Sequence, residues 1–133
     1  MVGPIVALIV LGLVLRQPGS LGGYEGLYIS TQLEGDSWNY IKLYRDGTVM
    51  AVTSSGNPKQ VNTWFNKSHP AVSKGLYYVQ NGTIQFSATS PAGTVDYRGK
   101  INKTHLQLHI HSRINGYEND VEYKLIESLP PTP

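Results

Sequence analysis

The feature that most constrains this chain is an alternation over residues 94–126 that keeps one phase through two turns. In residues 94–101, Val95, Tyr97, Gly99 and Ile101 fall on one side, and Thr94, Asp96, Arg98 and Lys100 on the other. Successive side chains of a strand point to opposite faces, so this pattern gives one dry face and one wet face. Residues 104–112 repeat it, with Leu106, Leu108 and Ile110 opposite His105, Gln107, His109 and His111. A two-residue turn at Asn102-Lys103 pairs Ile101 with Thr104, Gly99 with Leu106, Tyr97 with Leu108 and Val95 with Ile110. A turn at Asn115-Gly116 then sets Ile110 against Val121, Leu108 against Tyr123 and Leu106 against Leu125; a longer loop over residues 115–120 preserves the same phase. A slip of one residue would turn a whole apolar row to water, so the pattern predicts a three-strand antiparallel meander.

The preceding residues supply more of the same. Residues 24–31 form an apolar, β-rich run. Residues 38–45 and 48–53 flank Asp46-Gly47, a hairpin signal with two registers. A two-residue turn pairs Leu43 with Met50 and Ile41 with Val52; a three-residue turn with a bulge at Gly47 pairs Leu43 with Val49 and Ile41 with Ala51. Residues 75–80 and 83–89 flank Asn81-Gly82, the strongest hairpin signal in the chain, which pairs Val79 with Ile84 and Tyr77 with Phe86. The period changes once. Val61, Trp64 and Phe65 sit at i, i+3 and i+4, after Asn57 as N-cap and Pro58 as first helical residue, so residues 58–66 read as a short helix. Its aromatics are expected to cover an open end of a barrel, with packing on the outside of the sheet as the alternative.

About eight strands joined mostly by tight turns close most readily into a small up-and-down barrel, which removes exposed edges. The fold expected is therefore all-β: an eight-stranded antiparallel up-and-down lipocalin-like barrel with one short helix. A chain of 133 residues is long enough for one domain with a real core. Three segments follow: residues 1–22, apolar at their start; a barrel domain over 23–127; and a Pro-rich tail over 128–133. Residues 2–15 carry no charge and match the apolar core of a signal peptide better than a membrane span, which needs about 20 residues. Cleavage after Gly22 would leave an exported, secreted or periplasmic domain. Left uncleaved, the segment would anchor the chain or pack on it, and the protein would be membrane-anchored or cytoplasmic. The net charge of +2, without a basic run, argues against a nucleic-acid partner. The absence of cysteine excludes disulfides, thiol catalysis and cysteine-ligated metal.

The layout resembles the calycin superfamily of lipocalin-like and fatty-acid-binding-like barrels. The resemblance rests on the meander, on Gly26-x-Tyr28 at the first strand and on the single helix. Lipocalins carry Gly-x-Trp there and usually a disulfide; Tyr28 replaces the Trp and cysteine is lacking. Residues 43–49, Leu-Tyr-Arg-Asp-Gly-Thr-Val, also resemble small lipocalin-like bacterial proteins. The resemblance implies a non-enzymatic barrel whose interior or mouth binds a small apolar ligand. It brings no catalytic residues and no cofactor.

The residues expected to line such a site are Trp64, Phe65, Tyr77, Phe86, Tyr97 and Tyr123. Eight strands leave little interior space, and large side chains can fill it. A second reading is an exported interaction or structural module acting through tyrosines such as Tyr40, Tyr44 and Tyr78. A third is a metal-dependent enzyme. The pairings above put His109 between Asp96 and Glu122 and His111 between Thr94 and Asp120, so His109, His111, Asp96 and Glu122 would share one face. The plainer reading of that face is a solvated surface with cross-strand ion pairs. Asn66, Asn81 and Asn102 begin glycosylation acceptor patterns, but Asn81 and Asn102 are already accounted for as turn residues.

Overall fold

The computed structural model describes residues 23–67 and 69–127. The signal-peptide and tail expectations fall on residues outside these. Eight strands, β1 (Gly26–Ser30), β2 (Trp38–Leu43), β3 (Thr48–Ser54), β4 (Ser73–Gln80), β5 (Thr83–Ser90), β6 (Gly93–Ile101), β7 (His105–Ser112) and β8 (Glu118–Ile126), pair antiparallel in chain order. β8 returns to β1, so the sheet is a closed barrel in which every strand has two neighbours. One helix, α1 (Pro58–Trp64), lies between β3 and β4. The eight-stranded up-and-down barrel with one short helix is thus the fold the alternation predicted.

The registers show what alternation does and does not specify. β4 and β5 pair Val79 with Ile84 and Tyr77 with Phe86, as the Asn81-Gly82 turn requires; Asn81 takes φ 53 there. β2 and β3 use the three-residue option, pairing Leu43 with Val49 and Ile41 with Ala51. The two turns of the meander differ from the expectation. Asn102 does not sit at the centre of the β6–β7 turn. Its side chain accepts hydrogen bonds from the Thr104 and His105 amides, both 2.8 Å, and the chain reverses at Lys103-Thr104. The pairing therefore shifts by two residues, to Ile101 with Leu106, Gly99 with Leu108 and Tyr97 with Ile110. The β7–β8 connection is a longer loop after Ser112, and Ile110 pairs with Asn119, Leu108 with Val121 and Leu106 with Tyr123. A shift of two keeps every side chain on its own face. The dry row therefore survives an error in turn length, and hydrophobicity alone cannot resolve it.

Gly99 explains how β6 approaches β7 so closely. A Cβ built at this residue would lie 1.8 Å from the carbonyl oxygen of Gln107, and one at Gly75 would lie 1.9 Å from that of Ser87. Both positions require the absence of a side chain, as is usual where another backbone approaches a strand closely.

The barrel interior is filled from one end. Tyr28, Tyr77 and Tyr123 are fully buried with Leu43, Ile84, Leu106 and Leu108 around them. Buried hydroxyls need partners. Tyr28 donates to the carbonyl of Tyr24 at 2.9 Å, and Tyr77 donates to that of Tyr44 at 2.7 Å. Both bonds tie the rings to the end of the barrel carrying the β2–β3 turn. Burial pushes all three tyrosine hydroxyls above their ordinary range.

A second apolar cluster lies outside the barrel wall. Leu27 and Ile29 of β1, Tyr40 of β2 and Met50 of β3 point away from the interior and pack against Val61, Phe65 and Val72. The helix therefore covers the outer face of the first three strands and does not cap a barrel end. Its start is a capping box: the Asn57 side chain accepts from the Gln60 amide at 2.9 Å, and the Gln60 side chain accepts from the Asn57 amide at 3.0 Å. Lys42, on the same outer face of β2, is sealed beneath this layer at 4% exposure. Its amine donates to Asn62 Oδ1 at 2.8 Å and lies 5.3 Å from the centre of the Tyr44 ring. Burial lowers the amine to about 8.

Candidate functional site

Two concave regions stand out, one at the barrel mouth and one on the outer wall. The mouth is the end opposite the Tyr28 and Tyr77 hydroxyls, between the β1–β2 and β7–β8 loops. It is an open funnel of about 280 Å³. Its wall is Ala51, Val95, Tyr97, Ile110, Val121 and Tyr123, and its rim carries Glu34, Asn39, Asn115 and Asn119. Val95, Tyr97, Ile110 and Val121 face inward yet keep part of their surface open, whereas Leu106 and Leu108, deeper on β7, are buried. The apolar rows thus run on past the point where the core fills. Burial pushes the Tyr97 hydroxyl up to about 12, so at neutral pH it stays a hydrogen-bond donor.

The six residues expected to line a ligand site separate into three groups. Tyr97 and Tyr123 line the mouth. Phe86 stacks on Tyr97 with ring centres 4.5 Å apart, and Tyr77 fills the closed end. Trp64 and Phe65 lie outside the barrel: Phe65 is buried under the helix, and Trp64 is exposed with its ring edge-on to His69. The helical period placed them on one helix but carried no information about which face of the sheet would receive it. The proposed tyrosine patch also divides. Tyr40 is buried and donates to the Gly56 carbonyl at 2.6 Å. The Tyr44 ring has the Lys67 amine 4.7 Å from its centre, and Tyr78 lies on the far side of β3, on β4.

The wall of β4–β8 carries an open trough of about 740 Å³ with a mixed lining, in which Leu76, Phe86 and Tyr97 accompany the polar side chains. The registers arrange its side chains in two rows across the strands: Tyr78, Gln85, Arg98, His109 and Asp120 in one, and Leu76, Ser87, Asp96, His111 and Glu118 in the next. His109 and His111 share this outer face, as the alternation requires. The shift of two residues changes their neighbours. His109 stands between Arg98 and Asp120, and His111 between Asp96 and Glu118, while Glu122 pairs with Gln107 outside both rows. The four residues weighed as metal ligands therefore do not converge, and among the described residues no group of three His, Asp or Glu is placed to hold an ion. The carboxylates are engaged otherwise. Arg113 donates through Nε and Nη2 to the two oxygens of Asp96, each at 2.8 Å, and Ser87 donates to the same carboxylate. Those bonds hold Asp96 at about 2. The two imidazole nitrogens of His109 bond Asp120 and Glu118, both at 2.8 Å, which raises the imidazole pKa and lowers that of Glu118.

No family model, no curated protein and no solved structure matches this chain. The geometry therefore carries the functional argument alone. Sequence reading missed the mouth funnel as distinct from the core. The signal was available: Val95 and Ile110 lie near strand ends beside polar loops, where a filled row is last to be covered. It also missed Lys42, a lone cation in an apolar run, which marks a strand face covered from outside.

Proposed function

We propose that this protein is a non-enzymatic, calycin-like carrier barrel that takes a small ligand with an apolar body and a polar end into its mouth. The observation that carries this reading is the half-open apolar wall of Val95, Ile110 and Val121 beneath a rim of asparagines. Ligand sites are mostly apolar clefts with a few placed polar groups, typically of about 300–1,000 Å³. At about 280 Å³ the funnel admits only a small molecule or one end of a larger one. Tyr28 and Tyr77 close the opposite end, so the ligand would not thread the barrel. The closed eight-strand meander supports the calycin likeness at the level of architecture. In this reading the protein is exported, residues 1–22 serving as signal peptide or anchor, which N-terminal sequencing of the native protein tests.

A titration of ¹⁵N-labelled protein with indole, octanoate and a short alkyl alcohol tests the binding. The expected result is a saturable shift of the Val95, Ile110 and Val121 amides by at least one probe, abolished by Val121→Trp, which fills the funnel. Probes that leave these amides in place would refute the reading.

A further inference from the structure

Given the carrier reading of the mouth, on which this rests, we propose that the ligand enters polar end first, and that this end is an uncharged carbonyl oxygen held by the Tyr123 hydroxyl, with Tyr97 as second donor.

An unused donor at the floor of the funnel carries the proposal. Tyr123 is 1% exposed and lies two residues deeper on β8 than Val121, opposite Leu106. The hydroxyls of Tyr28, Tyr40 and Tyr77 each donate to a backbone carbonyl. That of Tyr123 makes no hydrogen bond to any described residue, although buried hydroxyls are normally paired. Among the described residues, no buried side-chain nitrogen or oxygen is sealed off without a partner. The Tyr123 oxygen must therefore reach the small opening that its residue retains, and Tyr123 lines the funnel.

Electrostatics give the same direction. Burial raises the Tyr123 hydroxyl most, followed by the nearby Tyr97 hydroxyl and by Glu34 at the rim. For Tyr28 and Tyr77 burial again comes first, but the carboxylate acting on both is Glu25, at the closed end. Tyr97 also makes no side-chain hydrogen bond among the described residues, and its ring is held by the stack on Phe86. Two positioned phenols thus meet the ligand from the funnel side.

Charge selects the ligand group. Among the described residues that line the funnel there is no Lys, Arg or His, and the one carboxylate is Glu34. A carboxylate ligand would be buried without a counter-charge and against Glu34, which is costly. At neutral pH both phenols stay protonated and offer donors. A carbonyl oxygen has two lone pairs and no proton of its own, so it can accept from both. The apolar body then lies against Val95, Ile110 and Val121.

The test is a titration of the ¹⁵N-labelled protein with four compounds of one shape: acetophenone, α-methylstyrene, 1-phenylethanol and benzoate. Acetophenone is expected to shift the Val95, Ile110 and Val121 amides and to bind more tightly than benzoate or 1-phenylethanol. Tyr123→Phe should weaken acetophenone about fivefold, as the loss of one hydrogen bond does, and leave α-methylstyrene unchanged. Tyr97→Phe should act in the same sense, about threefold. The melting temperature of Tyr123→Phe should stay that of the parent, because the fold makes no use of the oxygen removed. The carbonyl ¹³C resonance of bound acetophenone should move downfield, and Tyr123→Phe should undo most of that movement. Equal effects of Tyr123→Phe on acetophenone and α-methylstyrene would overturn the inference and leave the carrier reading standing. So would tighter binding of benzoate or 1-phenylethanol than of acetophenone. Failure of all four compounds to move the funnel amides would remove both.

Discussion

The two halves of the barrel wall are built from the same kind of strand and differ in what lies outside them. In β1–β3 both faces are buried, the inner one in the core and the outer one under α1. In β5–β8 the outer face is polar, and the trough crosses it. The sequences follow suit. Leu27-Tyr28-Ile29 and Val49-Met50-Ala51-Val52 are continuous apolar runs, whereas residues 94–112 alternate. A continuous run reports a cover on the outside, and alternation reports water there. The interior is equally apolar in both halves, so it is the outer face that tells them apart.

The sharpest way to break this contrast is to remove the cover. Phe65→Ala should lower the unfolding free energy by about 3–5 kcal/mol in urea titration. Gln107→Ala, on the exposed outer face of β7, should change it by no more than about 0.5 kcal/mol. Equal effects would mean that the helix is not part of the cooperative unit.

Lys42 offers a second probe of the covered half. Its amine titrates near 8 in the folded chain against an ordinary 10.5. Between pH 8 and about 10 the unfolded chain therefore binds more protons at this site, and stability should rise with pH. The rise should be about 2 kcal/mol, at 1.36 kcal/mol per unit. Above that window the slope should reverse, because burial keeps Tyr28, Tyr77 and Tyr123 protonated in the folded chain while unfolded tyrosines ionise. Urea titrations across this range, with Lys42→Met flattening the rise, check the assignment.

The bare half should show a smaller, local response. Asp120, and then Glu118, raise the His109 pKa above its ordinary 6.5. Their favourable contribution is thus complete below pH 6.5 and fades as pH climbs through the raised value. An NMR titration should place the His109 midpoint above 6.5, and Asp120→Asn should lower it. An unmoved midpoint would mean that the bonds are not kept in solution.

Phase was legible in the sequence, and length was not. Leu106 and Leu108 face the core and the interleaved histidines face out because polarity fixes parity, and parity is all that alternation encodes. Asn102 and Asn115-Gly116 signalled turns, but each was compatible with a register two residues away. The actual register follows from the Asn102 side chain bonding its own turn and from the longer loop after Ser112. That displacement scattered the histidine–carboxylate group considered for metal and created the Arg98–His109–Asp120 row in its place. The position of α1 was legible in principle. Apolar residues on both faces of three successive strands need a cover, and α1, with its apolar face, follows directly after them. The mouth was the least legible part, because it depends on where a filled row stops, which turn lengths decide.

The pairing of β1 with β8 has a consequence for how the molecule is made. Ribosomes add about 5–20 residues per second, so about 5–20 s separate the appearance of β1 from that of the strand that closes on it. During that interval β1 can zip onto β2, but its other side waits, with Leu27 and Ile29 uncovered until the helix arrives and Tyr28 uncovered until the ring shuts. The newborn chain is therefore most exposed to misassociation along its first strand, and the hazard ends only when β8 joins the cover already laid down by the helix.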